Sequence, residues 1–164
     1  MAGSPILPGA RLGNDFVTYS TNGLRALTLT EYNRVTGNDI NLAATNDNVV
    51  IGFVAPAAYP ALSGPKMVNS VVLTNNANST WNMGDALTIL SGQLLTTPSL
   101  TRDIRTGSIT AGDGADADLH VTVAASTLTL GANIVDNGEG SVTLVKGGAG
   151  TLNLTNNSID NTYS

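Results

Sequence analysis

The sequence predicts an all-β protein made of many short strands. Thr, Val, Ile and alternating Leu, which favour strands, fill segments that are separated by clusters of Asn and Gly, which favour turns. Charged residues make up only 12 % of the 164 positions, too few for a helical bundle with its charged outer faces. Hydrophobic residues still reach 41 %, so a chain of this length can bury a core rather than remain disordered.

The first part of the chain has the least regular pattern. Residues 1–11 are predicted to be a flexible lead, and residues 12–62 an irregular N-terminal coil or cap. Within it, "DFVTYSTNGLRAL" alternates in polarity and predicts a short hairpin with Asn22 and Gly23 at its turn. The run "NVVIGFV" predicts a buried strand, and a loop interrupted by prolines follows it.

A short helix is predicted between the hairpin and this buried strand. Thr28 is followed three residues later by Glu31, which is the spacing of a capping box at a helix start. Gly37 then provides a residue type that commonly ends a helix.

Seven short strands are predicted in the remainder, residues 63–164. Each carries about two aliphatic side chains at positions i and i+2, an alternation that buries one face of a strand. Segments such as "GDGADAD" and "DNGEG" between them have the composition of turns. The predicted strands cover residues 68–74, 86–91, 107–112, 119–125, 126–131, 141–146 and 150–155.

Two architectures fit strands of this length and spacing, an antiparallel sandwich and a parallel β-helix. In a β-helix each coil takes roughly 20 or more residues, and equivalent positions stack from coil to coil. The intervals from Ile89 to Ile109 and from Ile109 to Leu128 fit such a coil. The spacing therefore favours the β-helix, while the sandwich remains compatible with it.

The closing segment "LVKGGAGTLNLTNNSIDNTYS" closely resembles the autotransporter-associated β-strand repeat. The usual form of that repeat contains Leu-x-Lys-x-Gly-x-Gly-Thr-Leu-x-Leu, followed later by Asn-x-Tyr. Asn153 replaces the usual Thr, and the polar interval before the tyrosine is longer. The matching positions are Lys146, Gly148, Gly150, Thr151, Leu152, Leu154 and Tyr163.

The resemblance implies a right-handed parallel β-helix, or solenoid, that ends in a partial repeat over residues 141–164. It implies a segment of an exported bacterial passenger region, located outside the cell or on its surface. The expected function is structural or adhesive, with no catalytic residue and no cofactor. The chain reads as an excised segment, so we expect its C-terminal end either to pair with another chain or to fray. Head-to-tail stacking of copies would give a filament rather than a closed oligomer.

Charge and composition narrow the partners further. The net charge is −5 with only 7 Lys and Arg residues, which argues against nucleic acid as a partner. No apolar run approaches the roughly 18 residues of a membrane-spanning helix, so no membrane insertion is expected. The absence of Cys excludes disulfides and thiolate metal sites.

One acidic loop is a weak candidate for calcium. Asp113, Asp116 and Asp118 supply carboxylate oxygens, the ligands that Ca²⁺ prefers, and His120 follows closely. The loop lacks the residue order of an EF-hand, so a solvated turn is the preferred interpretation. His120 has no nucleophile motif beside it, and a packing or hydrogen-bonding role is expected for it.

A carbohydrate-active enzyme and a glycan-binding module are the alternative functions. The enzyme would need two converging carboxylates, and Asp103, set between Arg102 and Arg105, with Asp113 or Asp116 is the only visible route. The glycan-binding module would need exposed aromatic rings in line across neighbouring coils. The candidate rings are Trp81, Tyr19, Tyr32, Tyr59 and Tyr163.

Overall fold

The computed structural model describes residues 4–52, 59–74, 78–97, 101–155 and 161–163. Parallel strands stack into a β-solenoid of about four turns with almost no helix. The prediction of a parallel β-helix is therefore confirmed, and the alternative of an antiparallel sandwich is wrong. Residues 1–3 of the predicted lead and residues 156–160 of the predicted repeat lie outside the described residues.

Thirteen strands are present in the described residues. They are β1 Arg11–Leu12, β2 Asp15–Ser20, β3 Gly23–Ala26, β4 Asn33–Arg34, β5 Asn48–Ile51, β6 Lys66–Leu73, β7 Ser79–Asn82, β8 Ala86–Thr96, β9 Arg102–Ala111, β10 Ala117–Val123, β11 Thr127–Ile134, β12 Val142–Gly147 and β13 Thr151–Leu154. The seven predicted strands correspond to β6 and β8 to β13, and the predicted buried strand corresponds to β5. The sequence pattern missed β1, β4 and β7.

The strands β4 to β13 form one 10-stranded sheet, arranged in three rows. The first row contains β4, β5, the second halves of β6 and β8, then β10 and β12. The second row joins the first halves of β6 and β8 to the second halves of β9 and β11. The third row contains β7, the first halves of β9 and β11, and β13. Aliphatic side chains from all three rows form one continuous core.

The strand register shows which residues stack from coil to coil. Ile89 pairs with Ala111, and Ile109 pairs with Ile134. Leu128 pairs with Arg102, in a different row from Ile109. The interval from Ile89 to Ala111 is 22 residues and that from Ile109 to Ile134 is 25, which agrees with a coil of roughly 20 or more residues.

The first three strands form a separate antiparallel sheet, which we call the lateral sheet, in the order β1-β2-β3. The predicted hairpin is thus confirmed, but Ser20 pairs with Gly23, so the turn lies at residues 21–22. The lateral sheet packs against the outer side of the first row. A second hydrophobic core joins the two, made of Phe16, Leu27, Tyr32, Val50, Val72 and Leu95, with Ile6 against it.

Three 3-10 turns take the place of the predicted helix, at Leu29–Glu31, Thr36–Asn38 and Ile40–Leu42. The first has the predicted capping box, in which the Glu31 carboxylate accepts from the backbone N–H of Thr28. The Thr28 hydroxyl also donates to the same carboxylate. This first turn ends at Tyr32, where the chain becomes extended and enters β4. Gly37, predicted to end one helix, lies inside the second turn with φ +63°. Parallel pairing already begins at β4. The proposed domain boundaries remain predictions.

Glu31 ties the lateral sheet to the solenoid through several bonds. Arg25 of β3 donates two hydrogen bonds to its carboxylate, both at 2.7 Å, and Ser4 Oγ donates a third at 2.6 Å. Together with Thr28, these donors hold the pKa of Glu31 well below its ordinary range, the Arg25 bonds contributing most.

We expect the docking of the lateral sheet to weaken in acid. A carboxylate whose pKa is lowered by folding stabilises the native state when the pH is above its ordinary pKa of about 4.3. That stabilisation is lost progressively as the pH falls below this value. The Tm measured from about pH 7 down to about pH 3 should therefore fall more steeply for the wild type than for Glu31→Gln. Glu139→Gln, at an exposed position, is the matched control and should follow the wild type. Parallel curves for the wild type and Glu31→Gln would contradict the expectation.

Candidate functional site

The acidic loop does not assemble a calcium site. Asp116 turns toward the next coil, where its Oδ1 accepts a hydrogen bond from the backbone N–H of Ser141 at 2.9 Å. Asp118 points outward from β10, with Oδ2 3.6 Å from Nε2 of His120. Across the described ranges, no three acidic or histidine side chains gather in a way that would hold a metal ion. Asp113 thus shares no ligand cluster with the other two.

His120 lies beneath the segment that precedes β1. A Cβ placed on Gly9 would lie only 3.0 Å from Cε1 of the His120 ring. Gly9 has φ +71°, a left-handed conformation that glycine adopts readily. The ring is therefore a close packing contact of the N-terminal segment, in agreement with the role expected for it.

The charged segment at the start of β9 does not form a catalytic pair. Asp103 is engaged locally by Arg105, whose Nη2 lies 2.6 Å from its Oδ2. Asp113 follows the other end of β9, beyond the second row. The structure therefore keeps Asp103 apart from Asp113 and gives the predicted two-carboxylate route no shared site.

Arg102 occupies an inward position of the third row, which the sequence pattern did not predict. It pairs with Leu128 above it and with Ser79 below it, and it is 2 % exposed. Burial lowers the pKa of its guanidinium, and Nη2 donates to the carbonyl of Thr97 at 3.4 Å. The space between Arg102 and Tyr59 measures about 10 Å³, the lower limit for a single water molecule. It does not fit a substrate.

The aromatic side chains do not form a sugar-binding row. Trp81 is buried, and its Nε1 donates to the carbonyl of Pro60 at 3.0 Å. Tyr59 is also buried, 6.0 Å from Trp81 between ring centroids, and Tyr32 belongs to the second core. Tyr163 packs partly buried against the main core. Tyr19 is exposed on the lateral sheet, so the described rings show no line across neighbouring coils.

The C-terminal coil, β12 and β13, is the remaining candidate site. Within the described residues β12 pairs only with β10, and β13 pairs only with β11. The outer edges of both strands therefore present backbone donors and acceptors that no further strand uses. Leu152 stacks on Leu128, and Leu154 stacks on Leu130 but is 40 % exposed. We call this surface the open coil.

Close packing in the open coil explains why the repeat motif has glycines. A Cβ on Gly148, which has φ +78°, would overlap the carbonyl of Val123 in the coil below. A Cβ on Gly150 would lie 2.6 Å from Cγ1 of the same valine. At these two positions the turn between β12 and β13 therefore packs too closely on its neighbour for a side chain. Tyr163 lies beside the same coil, next to Thr162, whose backbone N–H donates to the carbonyl of Ile134.

Lys146 is the unexpected member of the open coil. In the first row its Cα lies directly above Val121, which is fully buried. The positions beneath are Leu94, Val71 and Val49, all inward and at most 1 % exposed. Lys146 thus ends an aliphatic column at its uncovered face, and its Nζ donates to the carbonyl of Gly148 at 2.6 Å. The spacing from Leu144 to Lys146 was the available signal, since residues i and i+2 share one face of a strand.

No family model, no curated protein and no solved structure matches this chain. In the described part of the chain, no helix combines the length and the apolar character needed to cross a membrane.

Proposed function

We propose that this chain is a non-catalytic structural and adhesive module, a rod segment of a bacterial surface passenger protein that associates through its open coil. The observation that carries the proposal is the one-sided pairing of β12 and β13. An edge of parallel strands with aliphatic side chains at its centre is a template for a further coil of the same architecture. The resemblance of residues 144–164 to the passenger repeat supports the extracellular setting.

The rest of the solenoid supports a mechanical role. Ten strands share one hydrogen-bonded sheet around a continuous aliphatic core, an arrangement that resists local opening. The candidate catalytic and metal-binding residues among the described positions point to different rows or loops. Length, stiffness and end contacts are then the properties on which such a module depends.

The open coil is tested by measuring association. Sedimentation of the protein from about 1 µM to about 1 mM should show that the average particle mass rises reversibly with concentration. Negative-stain images should show rods. Leu154→Lys should weaken the association constant at least about tenfold, because it introduces a charge into the apolar centre of the contact.

Leu24→Lys is the matched control. Leu24 is an exposed leucine of the lateral sheet and belongs to neither β12 nor β13, so its replacement should leave association unchanged. A wild-type protein that stays monomeric across the whole concentration range would overturn the proposed association.

A further inference from the structure

The sequence contains two Asn-Gly pairs, and the structure places them in different surroundings. Asn22 ends the turn between β2 and β3, whereas Asn137 lies in the turn between β11 and β12. Asparagine before glycine is chemically labile, because glycine has no Cβ to keep its backbone nitrogen away from the side-chain amide. The two glycines are alike: Gly23 and Gly138 both have positive φ and nothing within 4 Å of an added Cβ. A difference in reactivity is therefore expected to arise at the asparagines.

Asn137 is held by both its side chain and its backbone. Its Nδ2 donates to the carbonyl of Ala111 in β9 at 2.7 Å, and this bond fixes the direction of the side-chain amide. Its backbone N–H donates to the carbonyl of Gly140 at 2.9 Å, and the N–H of Gly140 donates back at 3.1 Å. Before Cγ of Asn137 can meet the nitrogen of Gly138, the side-chain bond must break and the paired backbone must shift.

Asn22 has no such restraint on its side chain. The residue is exposed, and within the described part of the chain its side-chain amide makes no hydrogen bond. Its backbone N–H donates to Oγ of Ser20 at 3.3 Å. Ser20 and Gly23 form the last pair of the hairpin, and terminal pairs open most readily. Opening of this pair brings the nitrogen of Gly23 within reach of Cγ of Asn22.

We propose that Asn22 is a site of spontaneous covalent modification, in which Gly23 converts its side-chain amide into a carboxylate through a cyclic imide. The backbone nitrogen of Gly23 loses its proton to a solvent base and forms a bond to Cγ of Asn22. The Cγ–Nδ2 bond breaks, and Nδ2 takes a proton from water and leaves as ammonia. Water then adds to one of the two ring carbonyls and opens the ring, which gives aspartate or isoaspartate.

The modification would change the hairpin in two ways. Both products add a negative charge at the turn, and isoaspartate also places one additional carbon atom in the main chain. Because a two-residue turn fixes the register of its strands, the added atom disturbs neighbouring pairs such as Tyr19 with Leu24. The conversion should therefore loosen β3, whose Arg25 binds Glu31 and ties the lateral sheet to the solenoid.

Peptide mapping by mass spectrometry tests the site in the whole chain. During incubation in neutral to mildly alkaline buffer, Asn22 should convert at least about tenfold faster than Asn137. In denaturing urea the two sites should convert at similar rates, because the contacts that hold Asn137 are then lost. Asn22→Gln should remove most of the early release of ammonia, since the longer side chain forms the ring slowly. Asn137→Gln is the matched control and should leave the early release nearly unchanged.

Equal rates at the two sites in the folded protein, or faster conversion of Asn137, would overturn the inference. So would a release of ammonia that Asn22→Gln leaves unchanged. Hydrogen exchange of the separated isoaspartate form measures the effect on the hairpin. Amides of β3 should exchange faster than in the unconverted chain, and those of β9 should change little. Unchanged exchange in β3 would show that the proposed loosening is wrong.

Discussion

Replacement of Gly92 by alanine is expected to cost more than about 4 kcal/mol of the free energy of unfolding. Gly92 lies where β8 passes from the second row to the first, with φ +67°. A Cβ at this position would overlap the backbone carbonyl oxygen of Asp118 in β10. Because that neighbour is backbone within a paired strand, it cannot rotate away as a side chain could. The pairs that follow, beginning with Gln93 and His120, would be disrupted.

Gly13→Ala provides the matched control for this prediction. Gly13 also has a left-handed backbone, with φ +64°, but nothing lies within 4 Å of a Cβ placed on it. Its replacement should cost only the left-handed strain, about 1–2 kcal/mol. Urea unfolding followed by circular dichroism gives both values. Equal losses at Gly92 and Gly13 would mean that the close approach to Asp118 has no energetic weight.

Phe16→Ala is expected to release the lateral sheet from the solenoid. Phe16 is 2 % exposed, and its ring lies 6.5 Å from the Tyr32 ring in the second core. Truncating a buried phenylalanine typically costs about 3–5 kcal/mol, a large part of what a small docked sheet can contribute. Amides of β2 should then exchange with deuterium much faster, while those of β9, which the lateral sheet does not cover, should change little.

Tyr19→Ala tests whether this effect is specific to the buried face. Tyr19 is on the same strand as Phe16 but is 68 % exposed, so its loss should leave hydrogen exchange in β2 nearly unchanged. Faster exchange throughout the solenoid in Phe16→Ala would instead show that the lateral sheet and the coils unfold as one unit.

The sequence was sufficient for ten of the thirteen strands, all except β1, β4 and β7, but not for their pairing. Alternation such as Leu128 with Leu130 reports that one face of a strand is buried, and this is a local property. Which strand lies above it depends on loop lengths, which do not follow a fixed period here. Ile109 illustrates the difference. Its aliphatic character predicts that it stacks on a neighbouring coil, but not that its partner is Ile134, which lies farther along the chain than a uniform period would place it.

The candidate sites were harder to predict because the type of a residue does not determine the direction in which its side chain points. Arg102 belongs to a charged cluster in sequence, yet strand alternation turns it into the core while Asp103 faces outward. Asp116 and Asp118 are close in sequence but bond to different neighbours. Residue type alone therefore identifies possible ligands, whereas the pleat of the strand decides which of them meet.

Within the part of the chain that the structure describes, the lateral sheet braces one flank of the solenoid. Val50, Val72 and Leu95 lie on successive coils, and the same small sheet covers all three. Bending that spreads these coils apart must pull apolar side chains out of a packed interface as well as stretch the backbone ladder. Bending that spreads the opposite flank stretches the ladder without separating this interface. The solenoid should therefore be stiffer against bending that spreads the flank covered by the lateral sheet than against bending in the opposite direction.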